Sequence, residues 1–179
     1  MEPTRLPTEP TELVAALARS ETRFPAYRAL LAVGHAALPA IREGLGHGNW
    51  QVRKWCAMIL DQTADAESLA ALVPLLRDPK ADVRLWAVHS LACDHCKDDV
   101  SCPVDAVPHL VERIRHDDSI RVRRMAAIML GTDFADARAV PVLEGLLDDL
   151  DQKLREHARR GLERYAELGL RSPVAGGDA

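Results

Sequence analysis

A nine-residue pattern recurs four times without a gap, and it limits the folds open to this chain more than any other feature. The copies are Val52-Arg53-Lys54-Trp55-Cys56-Ala57-Met58-Ile59-Leu60, Val83-Arg84-Leu85-Trp86-Ala87-Val88-His89-Ser90-Leu91, Val122-Arg123-Arg124-Met125-Ala126-Ala127-Ile128-Met129-Leu130 and Leu154-Arg155-Glu156-His157-Ala158-Arg159-Arg160-Gly161-Leu162. Each reads aliphatic, Arg, two variable, small, three variable, Leu. With 3.6 residues per helical turn, positions one, five and nine share a face. The small central residue (Cys56, Ala87, Ala126 or Ala158) lets a neighbouring helix come close. The first positions lie 31, 39 and 32 residues apart, the period of stacked helical units. The longer middle spacing marks an insertion of about two helical turns, and this insertion holds the cysteine cluster.

Each of these helices follows another apolar, helical segment: 35–45, 66–76, 105–114 and 136–147. Pro39, Pro108 and Pro141 stand near the starts of three of them, where a missing N–H costs nothing. Asp105 and Asp136 are placed to act as N-caps. Pro74 lies deeper in its segment and is expected to kink or shorten that helix. Polar turns, His47-Gly48-Asn49, Asp78-Pro79-Lys80, His116-Asp117-Asp118 and Asp148 to Asp151, join each pair.

The pattern resembles the HEAT-repeat family, in particular its short bacterial, phycobilisome-lyase-like type. The aliphatic-Arg pair, the following small residue and Leu, and an Asp in the preceding turn carry the resemblance. It implies an all-α, right-handed α-solenoid of about four helical hairpins plus an N-terminal capping helix pair. In the family, the Asp and Arg form a ladder between adjacent repeats. Asp78, Asp117 and Asp149 each stand six residues before the motif Arg, whereas the first copy has His47 in that place. The resulting organisation is a flexible N-terminus at 1–10, capping helices at 11–33, repeats at 34–165 with a Cys-containing insertion at 92–104, and a C-terminal tail at 166–179.

The resemblance also places the second helices on the concave face. Their third and seventh positions point away from the core, with the fourth at its edge. Trp55, Met58, Leu85, Trp86, His89, Arg124, Met125 and Ile128 occupy this face and are the expected partner-binding residues. An apolar exposed strip bearing two Trp residues fits an interaction surface. The other reading of the tryptophans is that they fill gaps between repeats.

The insertion places His89, Cys93, Cys96 and Cys102 in a His-x3-Cys-x2-Cys-x5-Cys spacing. A single Cys-x2-Cys knuckle with two further ligands suits a structural zinc, which prefers tetrahedral sulfur and nitrogen. A redox pair, a covalent ligand and free thiols are the other readings of the same residues, and His95 is a rival ligand. No other cofactor is implied.

The net charge of −4 argues against nucleic acid as partner. The basic run from Arg121 to Arg124 is the one stretch that points the other way. The sequence carries no phosphate-binding glycine loop, nucleophile elbow or His-Glu metalloprotease motif. No apolar run reaches bilayer length, and a cytoplasmic compartment is the expectation. The expected function is a non-enzymatic protein-binding scaffold or regulatory adaptor. The alternative is a HEAT-like enzyme, either a tetrapyrrole lyase or a nucleic-acid repair protein.

Overall fold

The computed structural model describes residues 6–92, 104–132 and 136–170. Among these the chain is helical, with no strand. It divides into two compact units at Asp105 and Ala106. The first holds α1 (Pro10–Ala16), α2 (Ser20–Val33), α3 (Leu38–Gly44), α4 (Trp50–Thr63), α5 (Ala66–Leu72) and α6 (Ala81–Ala92). The second holds α7 (Ala106–His116), α8 (Ile120–Thr132), α9 (Val140–Gly145) and α10 (Gln152–Glu167).

Prolines divide the first helices of the pairs more finely than their continuous apolar segments indicate. A 3-10 turn at Gly34–Ala37 precedes α3, another at Val73–Arg77 follows α5, and a third at Ala137–Ala139 precedes α9. Pro39, Pro74 and Pro141 each lie in the first turn of the segment that then begins. Proline cannot donate to a preceding turn, so a helical path restarts at it. The segment at 66–76 is accordingly shortened, with its α-helical part ending at Leu72. Asp136 caps the 3-10 turn rather than α9, accepting from the Arg138 N–H at 2.9 Å. Asn49, Asp65 and Asp151 cap α4, α5 and α10 by accepting from the Gln51, Ser68 and Leu154 N–H groups.

Positions one, five and nine of all four copies of the pattern are buried, at 2% exposure or less. The structure also reveals a fifth copy, opened by Thr in place of an aliphatic residue: Thr22-Arg23-Phe24-Pro25-Ala26-Tyr27-Arg28-Ala29-Leu30 in α2. Thr22, Ala26 and Leu30 are buried. The Thr22 hydroxyl occupies the aliphatic place because it can donate to the Ala16 carbonyl at 2.7 Å. In the second unit α8 and α10 cross backbone to backbone. A Cβ added at Gly161 would lie 2.8 Å from the Gly131 Cα. Gly131 thus serves close approach, whereas Gly34, with φ of 64°, ends α2.

The motif Arg has a recurring local task. Arg53, Arg84 and Arg155 each donate to the carbonyl six residues earlier, at His47, Asp78 and Asp149, over 2.7–2.8 Å. Arg23 does the same at Leu17, over 2.8 Å. The guanidinium thereby closes the turn that leads into its own helix. Within each unit a motif Arg also reaches the next repeat. Arg53 makes a bidentate pair with Asp78 at 2.7 and 3.0 Å, and Arg123 binds Asp149 at 2.6 Å. Asp78, Asp117 and Asp149 meanwhile accept the N–H two residues on, fixing the turn that receives the Arg.

His47 keeps the turn of this scheme but not its ladder contact, since Arg23 of the preceding copy is held by the Leu17 and Ala18 carbonyls. The His47 Nδ1 accepts the Asn49 N–H at 2.9 Å, reproducing the Asp turn. Arg53 takes the His47 and Gly48 backbone carbonyls from its own turn and its carboxylate from Asp78. The Arg53 and Asp78 side chains are 14% and 6% exposed, so removing one leaves a largely desolvated charge behind. Asp78→Ala is expected to cost about 3 kcal/mol. Asp78→Asn retains the turn and should cost less, and His47→Ala should cost under about 1 kcal/mol. Urea unfolding of the three variants checks this order.

Candidate partner-binding face

In the first unit α2 packs on α4 and α4 on α6. Their third, fourth and seventh positions are Phe24, Pro25 and Arg28, then Lys54, Trp55 and Met58, then Leu85, Trp86 and His89. The α2 group is exposed, and the other six residues are half-buried. The two tryptophans therefore sit partly in and partly out. Trp55 meets Tyr27 edge-on, with ring centroids 5.1 Å apart, and Tyr27 stacks on Phe24 at 6.2 Å. The Lys54 ammonium lies 5.8 Å from the Trp55 ring centroid, within cation–π range. Trp86 lies 5.4 Å from the His89 ring. Tyr27, at the sixth position, joins this aromatic cluster without having been expected to. The sixth position leans toward the following repeat rather than outward, so outward helical phase alone does not single it out.

His89 is held from α4. Its Nδ1 lies 2.9 Å from an Asp61 carboxylate oxygen, and Asp61 is buried. Only Nε2 remains for any further ligand. Cys93, Cys96 and Cys102, the cysteines grouped with His89 for zinc, lie outside the described residues. Among the described residues, no group of three His, Cys, Asp or Glu is placed to hold a metal ion. Cys56 is buried beneath α3 at the small position, and burial pushes its thiol up to about 12, so it serves as an apolar group.

In the second unit Arg124, Met125 and Ile128 are half-buried on α8. Arg124 forms a two-pronged ion pair with Asp151, its Nε donating at 3.0 Å. With Arg123 on Asp149, two arginines of the basic run are thus committed within the unit. Ile128, Thr132, His157 and Arg160 line a cleft of about 280 Å³ over the Gly131–Gly161 crossing. Burial, followed by the neighbouring Arg160 charge, lowers the His157 pKa.

A family model for HEAT repeats matches residues 10–92 and 97–171. The chain belongs to the HEAT-repeat family. The match includes α1 and α2, in agreement with the fifth copy of the pattern, and it does not distinguish the short bacterial subtype. No curated protein matches the chain. Among solved structures, an engineered protein is 23% identical with a TM-score of 0.53, over 88% of this chain and 79% of that one. A designed armadillo repeat protein in complex with the peptide (KR)4 is 19% identical with a TM-score of 0.59, over 87% and 81%. These likenesses concern the fold. No described helix is long and apolar enough to cross a membrane.

Two predictions follow from the packing. The Trp55 Nε1 is buried without a hydrogen-bond partner, so replacing the indole by an apolar ring removes an unsatisfied donor. Trp55→Phe should change unfolding free energy by under about 1 kcal/mol, against about 3 kcal/mol for Trp55→Ala; chemical denaturation measures both. Hydrogen bonds from Arg124 hold the Asp151 carboxyl down at about 2, below its ordinary 3.8. A depressed acid stabilises the fold above its unfolded pKa and loses that contribution as pH falls through the folded value. The stability gap between the wild type and Asp151→Asn, which keeps the cap, should be constant above about pH 5 and close as pH falls from about 4 to 2.

Proposed function

We propose that this chain is a non-enzymatic protein-binding scaffold or regulatory adaptor that receives its partner on the second-helix face. The observation that carries the reading is a contrast within each helix. The first, fifth and ninth positions are closed to solvent, yet Met58, Leu85, Trp86, Met125 and Ile128 remain half-exposed at outward positions. A solvated face has no need of these side chains, and indole, thioether and aliphatic groups at a partly open surface are the usual anchors of an interface. Within each compact unit, the stacking of repeats extends such a surface from one long helix to the next. The designed armadillo repeat protein, in complex with the peptide (KR)4, is a precedent for peptide binding by a protein of similar fold.

The ring contacts favour this reading over single-stranded nucleic acid. Bases stack on open aromatic faces, whereas Lys54 covers Trp55 and His89 tilts against Trp86. The test is a pull-down comparing the wild type with Met58→Glu/Leu85→Glu, after circular dichroism has established that both are folded. The expected outcome is a partner protein retained by the wild type and bound at least about tenfold more weakly by the variant, the effect of losing about 1.4 kcal/mol of contact. Equal retention by both would remove the face from consideration.

A further inference from the structure

In the second unit the Gly131–Gly161 crossing brings α8 and α10 together with no side chain at either residue, so the groove between the two helices stays open above it. The resulting cleft of about 280 Å³ has an apolar side, formed by Ile128 and the glycine backbone, and a polar side, formed by His157 and Arg160 one turn apart on α10. Among the described residues neither the His157 ring nor the Arg160 guanidinium has a hydrogen bond or ion pair. Arg113, Arg123, Arg124, Arg138 and Arg155 of the same unit are all engaged by carboxylates or carbonyls. Burial, followed by the Arg160 charge, holds His157 below its ordinary 6.5. The ring is therefore neutral at neutral pH and carries one N–H donor. Arg124, itself paired with Asp151, and Lys153 act on the ring in the same direction, and Glu156 opposes them. Glu156 does not line the cleft and accepts from the Gln152 amide at 2.8 Å. Glu163, one turn beyond Arg160, is exposed and also stands outside the lining.

We infer that this cleft binds a small organic monocarboxylate, its apolar body against Ile128 and the glycine crossing and its carboxylate received by Arg160 and the His157 imidazole. A concave site with an apolar wall, a few convergent polar groups and a displaced titratable side chain is where a ligand is to be sought. The planar guanidinium fork matches the two oxygens of a carboxylate. One cation beside one neutral donor balances a single negative charge, whereas the second charge of a phosphate would find no partner in the lining. At about 30 Å³ per water the cleft has room for about nine waters, and so for a ligand of about nine non-hydrogen atoms, the size of benzoate. The site shares Ile128 with the second-helix face, yet it does not depend on a protein docking there.

The experiment titrates the whole isotope-labelled chain with benzoate and follows the His157 ring and the Gly131 and Gly161 amides by NMR. Benzamide, inorganic phosphate and acetylated, amidated glutamate serve as comparison probes. Benzoate is expected to shift these signals saturably with a Kd of about 1 mM, a usual affinity for a ligand of this size. Benzamide, which has the same shape without the charge, should bind about tenfold more weakly. Arg160→Gln should weaken benzoate about tenfold, the effect of losing one charge-assisted hydrogen bond, and Arg159→Gln, outside the lining, should leave it unchanged. Saturation with benzoate should also raise the His157 pKa, because an anion beside the ring favours its protonated form. Equal binding of benzamide, or an unchanged affinity in Arg160→Gln, would overturn the carboxylate site and leave a plain apolar cleft. Tighter binding of phosphate would replace the organic acid by an inorganic anion, and tighter binding of the glutamate derivative would replace it by a side chain of a partner protein. Absence of any saturable shift would sink the site altogether, while the pull-down on Met58→Glu/Leu85→Glu judges the protein-binding face separately.

Discussion

A single guanidinium does two jobs at the second position of the long helices. It has five donors in one plane, enough to engage a carbonyl of its own turn and a carboxylate of the next repeat at once. Arg53 does both, through His47, Gly48 and Asp78. Lysine, a point charge with three donors on one nitrogen, could not span the two sites in fixed geometry. The turn within a hairpin and the stacking of one hairpin on the next therefore depend on the same side chain. In a repeat protein each unit contacts only its neighbours, and this link makes closure of one turn favour docking of the following one.

The repeat was legible because its physics is local. Burial at every fourth residue, a small residue at the crossing and an Asp six residues before an Arg are all visible in one dimension. What escaped the sequence involves substitutes for side chains by groups of different appearance. Thr22 occupies an aliphatic position because the Ala16 carbonyl satisfies its hydroxyl, so the copy in α2 is hidden from a pattern that demands Val or Leu. His47 occupies an Asp position because an imidazole nitrogen can accept the same N–H. The division of the first helices was legible only in part. Pro74 announced a break, while Pro39 and Pro141, equally effective, looked like ordinary first-turn prolines.

The face on the second helices was legible as a set of positions, though not in its environment. Helical geometry identified Trp55, Met58, Leu85, Trp86 and His89 but not the lateral contacts that hold them half-buried. Those contacts come from residues at other phases of the helix: Tyr27 at a sixth position and Asp61 at a tenth. Both readings of the tryptophans therefore describe part of the same side chain. Trp55 fills the space beside Tyr27 and also remains partly open to solvent. Its buried, unpaired Nε1 belongs to the packed side, where the ring serves the structure by its bulk alone.

The cations of the chain divide along the same line. Those that begin the long helices are consumed by turns and ladders: Arg23 by carbonyls, Arg53 and Arg123 by carbonyls and the carboxylates of Asp78 and Asp149, with Arg124 joining them on Asp151. These pairs are partly desolvated and set the spacing of repeats. Arg28 and Lys54 lie one turn or one residue further along, on the outward side, where a charge adds nothing to the stacking. Because the two sets occupy different positions of one nine-residue pattern, an outward charge can change without disturbing the charge that holds the repeats together.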